Sequence, residues 1–173
     1  HTNDRRQRQM CIRDRIQREV GSGYPITTGA YQTTFAGGVS DVVLSKFNVD
    51  GSALLYSTYL GGTAGGSVFT DYHDHPYSMR VNEAGELFLV GVTNSPNFPT
   101  TVGVYDETAN GGYDLFISKF SADGSSLLAS TLLGGGEDDG INGHFGVGEF
   151  TETKYNYGDA SRMDFIFDKD GNI

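Results

Sequence analysis

The chain writes one unit twice. Asp41-Val42-Val43-Leu44-Ser45-Lys46-Phe47 returns as Asp114-Leu115-Phe116-Ile117-Ser118-Lys119-Phe120, a spacing of 73. At that spacing Asp50-Gly51-Ser52 becomes Asp123-Gly124-Ser125, and Ser57-Thr58-Tyr59-Leu60-Gly61-Gly62 becomes Ser130-Thr131-Leu132-Leu133-Gly134-Gly135. Upstream, Pro25 and Tyr31 recur as Pro99 and Tyr105 at a spacing of 74. A period of this kind marks a supersecondary unit that buries its apolar faces by stacking on its neighbours.

Within a unit the pattern predicts four short strands, at residues 77–82, 86–93, 113–121 and 126–133. Leu87-Phe88-Leu89-Val90 is apolar without alternation, which suits a strand covered on both faces. Asp50-Gly51 and Asp123-Gly124 fall between apolar runs, where glycine supplies the positive φ of a tight hairpin. Gly and β-branched residues interrupt every 3.6-residue pattern, so no helix is expected. Repeated four-stranded sheets of this type are satisfied by radial stacking. The expectation is therefore an all-β fold, a β-propeller fragment of about two four-stranded antiparallel blades. It divides into a partial blade at 24–62, a blade at 76–135 and the start of another at 163–173. So few blades would leave sheet faces and edges unpaired. Gly85 finds its counterpart at Gly171, a spacing of 86, so about 13 residues are inserted between Gly135 and Met163. Phe165-Ile166-Phe167-Asp168 is then the next first strand, with Asp170-Gly171-Asn172 as its turn.

Residues 1–19 share nothing with the repeat. Met10-Cys11-Ile12-Arg13-Asp14-Arg15 resembles the peptide produced when a sequencing-library adapter is translated, so residues 1–19 are set aside as non-native or disordered. They hold the single Cys and six of the 12 Lys and Arg, against three of the 22 acids. The remaining body is thus more acidic than the formal net charge of −10. Such a body repels phosphate backbones and excludes nucleic acid as a partner. No run approaches the ~20 apolar residues of a membrane helix, so membrane insertion is not expected.

The runs Gly29-Ala30-Tyr31-Gln32-Thr33-Thr34-Phe35, Asp41 to Phe47, Asp50-Gly51-Ser52-Ala53-Leu54 and Tyr56 to Gly62 together resemble the bacterial seven-bladed β-propeller repeat of the SBBP type. The resemblance covers about residues 24–135. It implies an exported, often very large bacterial surface protein, extracellular or on the cell surface, with no assigned catalytic residues.

Loop length sorts the two rims of an up-and-down sheet. The short turns Glu83-Ala84-Gly85 and Asp123-Gly124 mark one, and the long segments 61–76, 94–112 and 135–162 mark the other. Long loops are uncommon unless they bind something or are disordered, so the second rim is the expected functional face. It carries Asp71, Asp74, Asp106, Glu107, Glu137, Asp138, Asp139, Glu149, Glu152 and Asp159.

Candidate binding residues there are Asp71, His73, Asp74, His75, Tyr105, Asp106, Tyr155 and Tyr157. In an extended chain Asp71, His73 and His75 project to one side, and imidazole with carboxylate suits a transition metal. No fourth ligand accompanies them, and histidines in polar loops more often bond water and backbone. Glu137-Asp138-Asp139 offers hard oxygens for a structural Ca²⁺, without the spacing of an EF-hand loop. No other cofactor is indicated. Lacking a Gly-x-Ser-x-Gly elbow or a distinguished carboxylate pair, the chain reads as non-catalytic. The expected role is adhesion, or binding of an extracellular protein or glycan through the acidic loops. The alternative is a propeller enzyme acting on extracellular polysaccharide. Tyr56, Tyr59, Phe47 and Phe120 are expected between blades, in the core.

Overall fold

A computed structural model describes residues 14–63, 73–139, 143–146, 149–152, 164–169 and 171–173. Among these the chain is all β. The first sheet is antiparallel in the order β1-β2-β3, built from Asp14–Glu19, Asp41–Phe47 and Leu54–Leu60. The second runs β4-β5-β6-β7, from Asp74–Val81, Leu87–Thr93, Asp114–Phe120 and Leu127–Leu133. A hairpin of β8 (Gly143–Gly146) and β9 (Glu149–Glu152) lies in the insertion, where the sequence suggested only loop. Tight turns between strands carry Gly51 at φ 74°, Gly85 at 83° and Gly124 at 69°, as their positions in the repeat require.

Asp14–Glu19, set aside on sequence grounds, forms β1. It pairs with β2 from Asp14 against Lys46 to Glu19 against Asp41, the place that β5 holds beside β6. Ile16 is its link to the core. At the other end, residues 164–168 form no strand among the described residues, in contrast to the expectation for Phe165 to Asp168. The turn after them is present: Asp168 N–H donates to Asn172 O and Gly171 N–H to Asp168 O, as Asn82 does to Glu86 O and Gly85 to Asn82 O.

The two sheets share one core. Val42, Leu44, Tyr56 and Leu60 from the first meet Leu87, Leu89, Phe116, Phe120 and Leu132 from the second, with Phe98 stacked on Phe116 at 4.6 Å. All of these are buried, and β5 is buried along its whole length. Tyr56 and Phe120 lie in the shared core as expected, whereas Tyr59 is buried against Phe35 of its own unit and Phe47 is half-buried. Hydroxyl pairs sit inside the apolar packing at matching places: Ser45 with Ser57 at 3.1 Å, and Ser118 with Ser130 at 2.8 Å.

The outer edges are not left open. The loop after β1 turns back along β3: Thr27 N–H donates to Ser57 O (3.2 Å), Ser57 N–H to Thr27 Oγ1 (2.9 Å) and Tyr59 N–H to Gln32 O (3.0 Å). The loop after β5 does the same on β7. There Thr101 N–H donates to Ser130 O, Ser130 N–H to Thr101 Oγ1 and Leu132 N–H to Asp106 O, each at 3.0 Å. An edge strand is a template for unwanted pairing, and these loops occupy its donors. Sequence periodicity pointed to bare edges because it reports side chains and is silent on backbone partners. Thr101→Val removes the acceptor for the Ser130 amide, and leaving a buried N–H unpaired costs about 1–3 kcal/mol. The expected result is a lower thermal midpoint with faster exchange of the Ser130 amide hydrogen, measured by hydrogen exchange; an unchanged exchange rate would show the loop is not the cap.

Candidate functional site

The ends of β3, β5 and β7 and the starts of β4 and β6 meet at the acidic rim, where the two sheets join. Asp74 N–H donates to Ser40 O at 2.9 Å, beside a parallel bridge between Ser40 and His73. Strand alternation sends Asp74 inward and His73 and His75 to the opposite side.

The Asp74 carboxylate is buried and accepts from Thr93 Oγ1 (2.5 Å), Gly62 N–H (2.9 Å) and Ser95 Oγ (3.2 Å). Asp41, at the start of β2, is equally buried; its Oδ2 accepts from Ala36 N–H (2.7 Å) and more distantly from Gln32 Nε2 (3.4 Å). Gly61 lies between the two acids. A Cβ built there would stand 2.5 Å from Asp41 Oδ1 and 2.7 Å from Asp74 Oδ2. The two oxygens are therefore at most about 5 Å apart, close enough for one charge to feel the other. Burial pushes Asp74 up to about 7, with the Asp41 charge adding to it, and burial pushes Asp41 up to about 6. Among the described residues Asp41 Oδ1 has no hydrogen-bond partner. At the matching atom of the second unit, Asp114 Oδ1 has none either, while Asn110 N–H donates to Asp114 Oδ2 at 2.8 Å. Burial raises Asp114 as well.

On the other side, His73 and His75 line a pocket of about 60 Å³ with Arg18, Tyr77, Val92 and Tyr113. That volume holds a few waters and is far below the several hundred Å³ of a small-molecule site. His73 N–H donates to Asn94 Oδ1 at 2.6 Å, and its Nδ1 lies 3.3 Å from Ser40 Oγ. Burial, then the Arg18 and His73 charges, hold His75 below its ordinary value. Burial pushes the neighbouring Tyr77 up to about 12. The expectation that His73 and His75 share a side holds. Asp71, the third member, lies outside the described residues, as do Tyr155 and Tyr157. Among the described residues no three His, Cys, Asp or Glu side chains converge as a metal site.

Asp106 serves its own loop. It accepts from Thr108 N–H and Thr108 Oγ1 (both 3.0 Å) and from Asn110 Nδ2 (2.5 Å), and the Thr108 amide, then Asn110, hold it below the usual carboxylate range. Tyr105 beside it is 86% exposed. Glu137, Asp138 and Asp139 do not point at a common centre through their bonds: Asp138 Oδ1 accepts from Tyr113 N–H (3.1 Å), Asp139 Oδ2 from Gly135 N–H (2.6 Å), and Glu137 contributes its carbonyl to Gly112 N–H (3.2 Å). Sequence reasoning passed over Asp41 and Asp114. Their signal was present, since each repeat couples one Asp at the head of the motif to a Gly-Gly at its tail.

No family of known proteins matches this sequence, and no curated protein matches it.

Proposed function

We propose that this chain is a non-catalytic propeller-type segment of an exported bacterial surface protein that binds a basic extracellular protein surface through its acidic rim. The observation that carries the reading is the way the rim loops are held. Asp41 on Ala36, Asp114 on Asn110, Asp138 on Tyr113 and Asp139 on Gly135 each fix a loop by a carboxyl oxygen accepting from a backbone amide. A loop ordered before binding loses less entropy on contact, which favours recognition over mere solvation. Glu107 and Glu137 stand exposed on this framework. Charge of one sign on a fixed surface steers an oppositely charged partner. The likeness to the SBBP repeat supports the exported location, and a cation such as Ca²⁺ near Glu137, Asp138 and Asp139 belongs to the same reading.

The test is binding to immobilised polylysine and to a glycan array across a salt series. Binding to polylysine should weaken steeply as salt rises, and Glu107→Lys with Glu137→Lys should slow association by about tenfold. Salt-insensitive binding to a neutral glycan would move the reading to sugar recognition. Release of reducing ends from a bound polysaccharide would overturn the non-catalytic assignment.

A further inference from the structure

β1 and β4 pack against each other where the two sheets join. In the antiparallel register Ile16 lies opposite Leu44 and Arg18 opposite Val42, and residues paired in this way project to the same side of a sheet. Val42 and Leu44 face the shared core. Ile16 therefore joins that core, and Arg18 is carried toward His75 and Tyr77 on β4 and His73 just before it. In the second unit the same place, beside β6, is held by Val92. A cation thus stands where the other copy has a valine.

The pocket of about 60 Å³ that these four side chains share with Val92 and Tyr113 runs against the charge of the molecule. The chain has a formal net charge of −10, yet among the described residues the lining holds a guanidinium, two imidazoles and two phenols, with no carboxylate. Asp74, between the histidines, is turned to the opposite side and engaged by Thr93 and Gly62. Asp138, the nearest acid to Tyr113, accepts from its backbone N–H at 3.1 Å. Ser40 Oγ stands 3.3 Å from His73 Nδ1, and the His75 and Tyr77 rings meet edge-on at 5.6 Å. Among the described residues the Arg18 guanidinium, the His75 ring and the Tyr77 hydroxyl have no hydrogen-bond or ion-pair partner, although each can donate. Three donors from two sheets converge on one small space.

The size and walls of that space select a ligand. About 60 Å³ is too little for a sugar or a nucleotide and admits one small group. A guanidinium fork matches the paired oxygens of a carboxylate. Val92 and the two tyrosine rings add an apolar wall, which suits the carbon behind a carboxylate and disfavours phosphate or sulfate, polar on every side. Burial, then the Arg18 and His73 charges, lower His75, and an anion placed among these groups offsets the repulsion.

We propose that this pocket binds a single carboxylate group, with Arg18 taking its oxygens, His75 and Tyr77 donating from the β4 side and Val92 against its carbon. The source is a small free acid or the carboxylate of a peptide. The site lies on the reverse side of β4 from Asp74, so it acts separately from the acidic rim and its basic partner.

Titration of the full chain by nuclear magnetic resonance, read at the His75 ring protons, tests this. Acetate should shift these signals and raise the His75 titration midpoint, while acetamide, of the same shape without the charge, should do neither. Binding should then strengthen as pH falls, because protonated His75 adds to Arg18; His73, Tyr77 and Tyr113 are the other titratable groups lining the pocket. An acetylated dipeptide with a free C-terminal carboxylate, set against its C-terminal amide, separates the sources. Tighter binding of the free-carboxylate peptide than of acetate marks a partner chain, and binding of acetate alone marks a free acid. Arg18→Gln should weaken carboxylate binding at least about tenfold, the scale of losing one charge-assisted bond. Arg15→Gln removes the same charge from the opposite face of β1, where Arg15 is exposed, and should change nothing. No response of His75 to either carboxylate, an equal response to the amides, or equal weakening in the two variants would overturn the proposal.

Discussion

Asp41→Asn should stabilise the protein at pH 8 and flatten a fall in stability that the wild type shows as pH rises from about 4 to about 7. Burial lifts Asp41 to about 6 and Asp74 to about 7, from an ordinary value of 3.8. Across that interval the folded chain holds protons that the unfolded chain has released. Stability therefore declines with rising pH: the contribution is complete below about 3.8 and is lost as pH passes through the folded values. The two acids titrate as a pair, since ionising one raises the other. Raised Asp114 acts in the same direction. Opposing them, the Ser121 hydroxyl, then the Ser125 amide and hydroxyl, hold Asp123 down to about 2, and Ser52 lowers Asp50. These carboxylates lose their favourable bonds only when pH falls below the ordinary value. Maximum stability is expected near pH 4.

In Asp41→Asn the amide oxygen can keep the Ala36 N–H bond while the new NH₂ takes the place of the unpartnered Oδ1, facing Asp74. One change removes a like charge and places a donor where an acceptor had no partner. The gain at pH 8 should be about 1–3 kcal/mol, the scale of satisfying one buried polar group. Thermal midpoints of both proteins at pH 4.5 and pH 8 decide the matter. A variant less stable at both would mean the Asp41 charge is itself stabilising, and the pair would not be the source of the slope.

Much of this fold is legible in the sequence because its repeat is written in side chains. Leu87 to Val90 gave a strand buried on both faces, and the Asp-Gly pairs gave the hairpins, since both signals are local. Edge capping was hidden: Thr27 and Thr101 act through hydroxyl and backbone contacts to a strand about 30 residues away in sequence. The loop around Asp106 is also a strand cap, a role that loop length alone does not reveal. Residues 1–19 are set aside on sequence because they share nothing with the repeat and Met10 to Arg15 resembles a translated adapter, and of Arg15 to Glu19 only Ile16 is apolar. A strand can still form on so polar a sequence when its partner β2 offers an unpaired edge. His73 and His75 were placed correctly by alternation, but alternation could not supply the remaining ligands.

The Gly-Gly ending each repeat can be separated from mere loop flexibility. Neither Gly61 nor Gly134 has a positive φ, so backbone conformation does not demand glycine at these sites. Space does. A Cβ at 61 would stand 2.5 Å from Asp41 Cγ and 2.7 Å from Asp74 Oδ2, and one at 134 would overlap Asp114 Oδ1. These carboxylates are short, buried and tied to backbone amides, so they cannot swing aside without breaking the bonds that hold the rim loops. Gly61→Ala and Gly134→Ala should each destabilise by about 3 kcal/mol, the upper end for forcing atoms into a packed interior. At about 2–4 °C per kcal/mol, the midpoint should drop by roughly 6–12 °C. Gly136→Ala is the control, because nothing lies within 4 Å of its Cβ position, and it should change stability by less than about 0.5 kcal/mol. Adding Asp41→Ala to Gly61→Ala opens the space again, so the double variant should be more stable than the sum of the two single losses. Strict additivity, or equal effects at positions 61 and 136, would detach the recurring glycine from the recurring aspartate. A sub-additive result would join them as one device, an acid at the head of each repeat closing over the glycine at its tail to fix the rim.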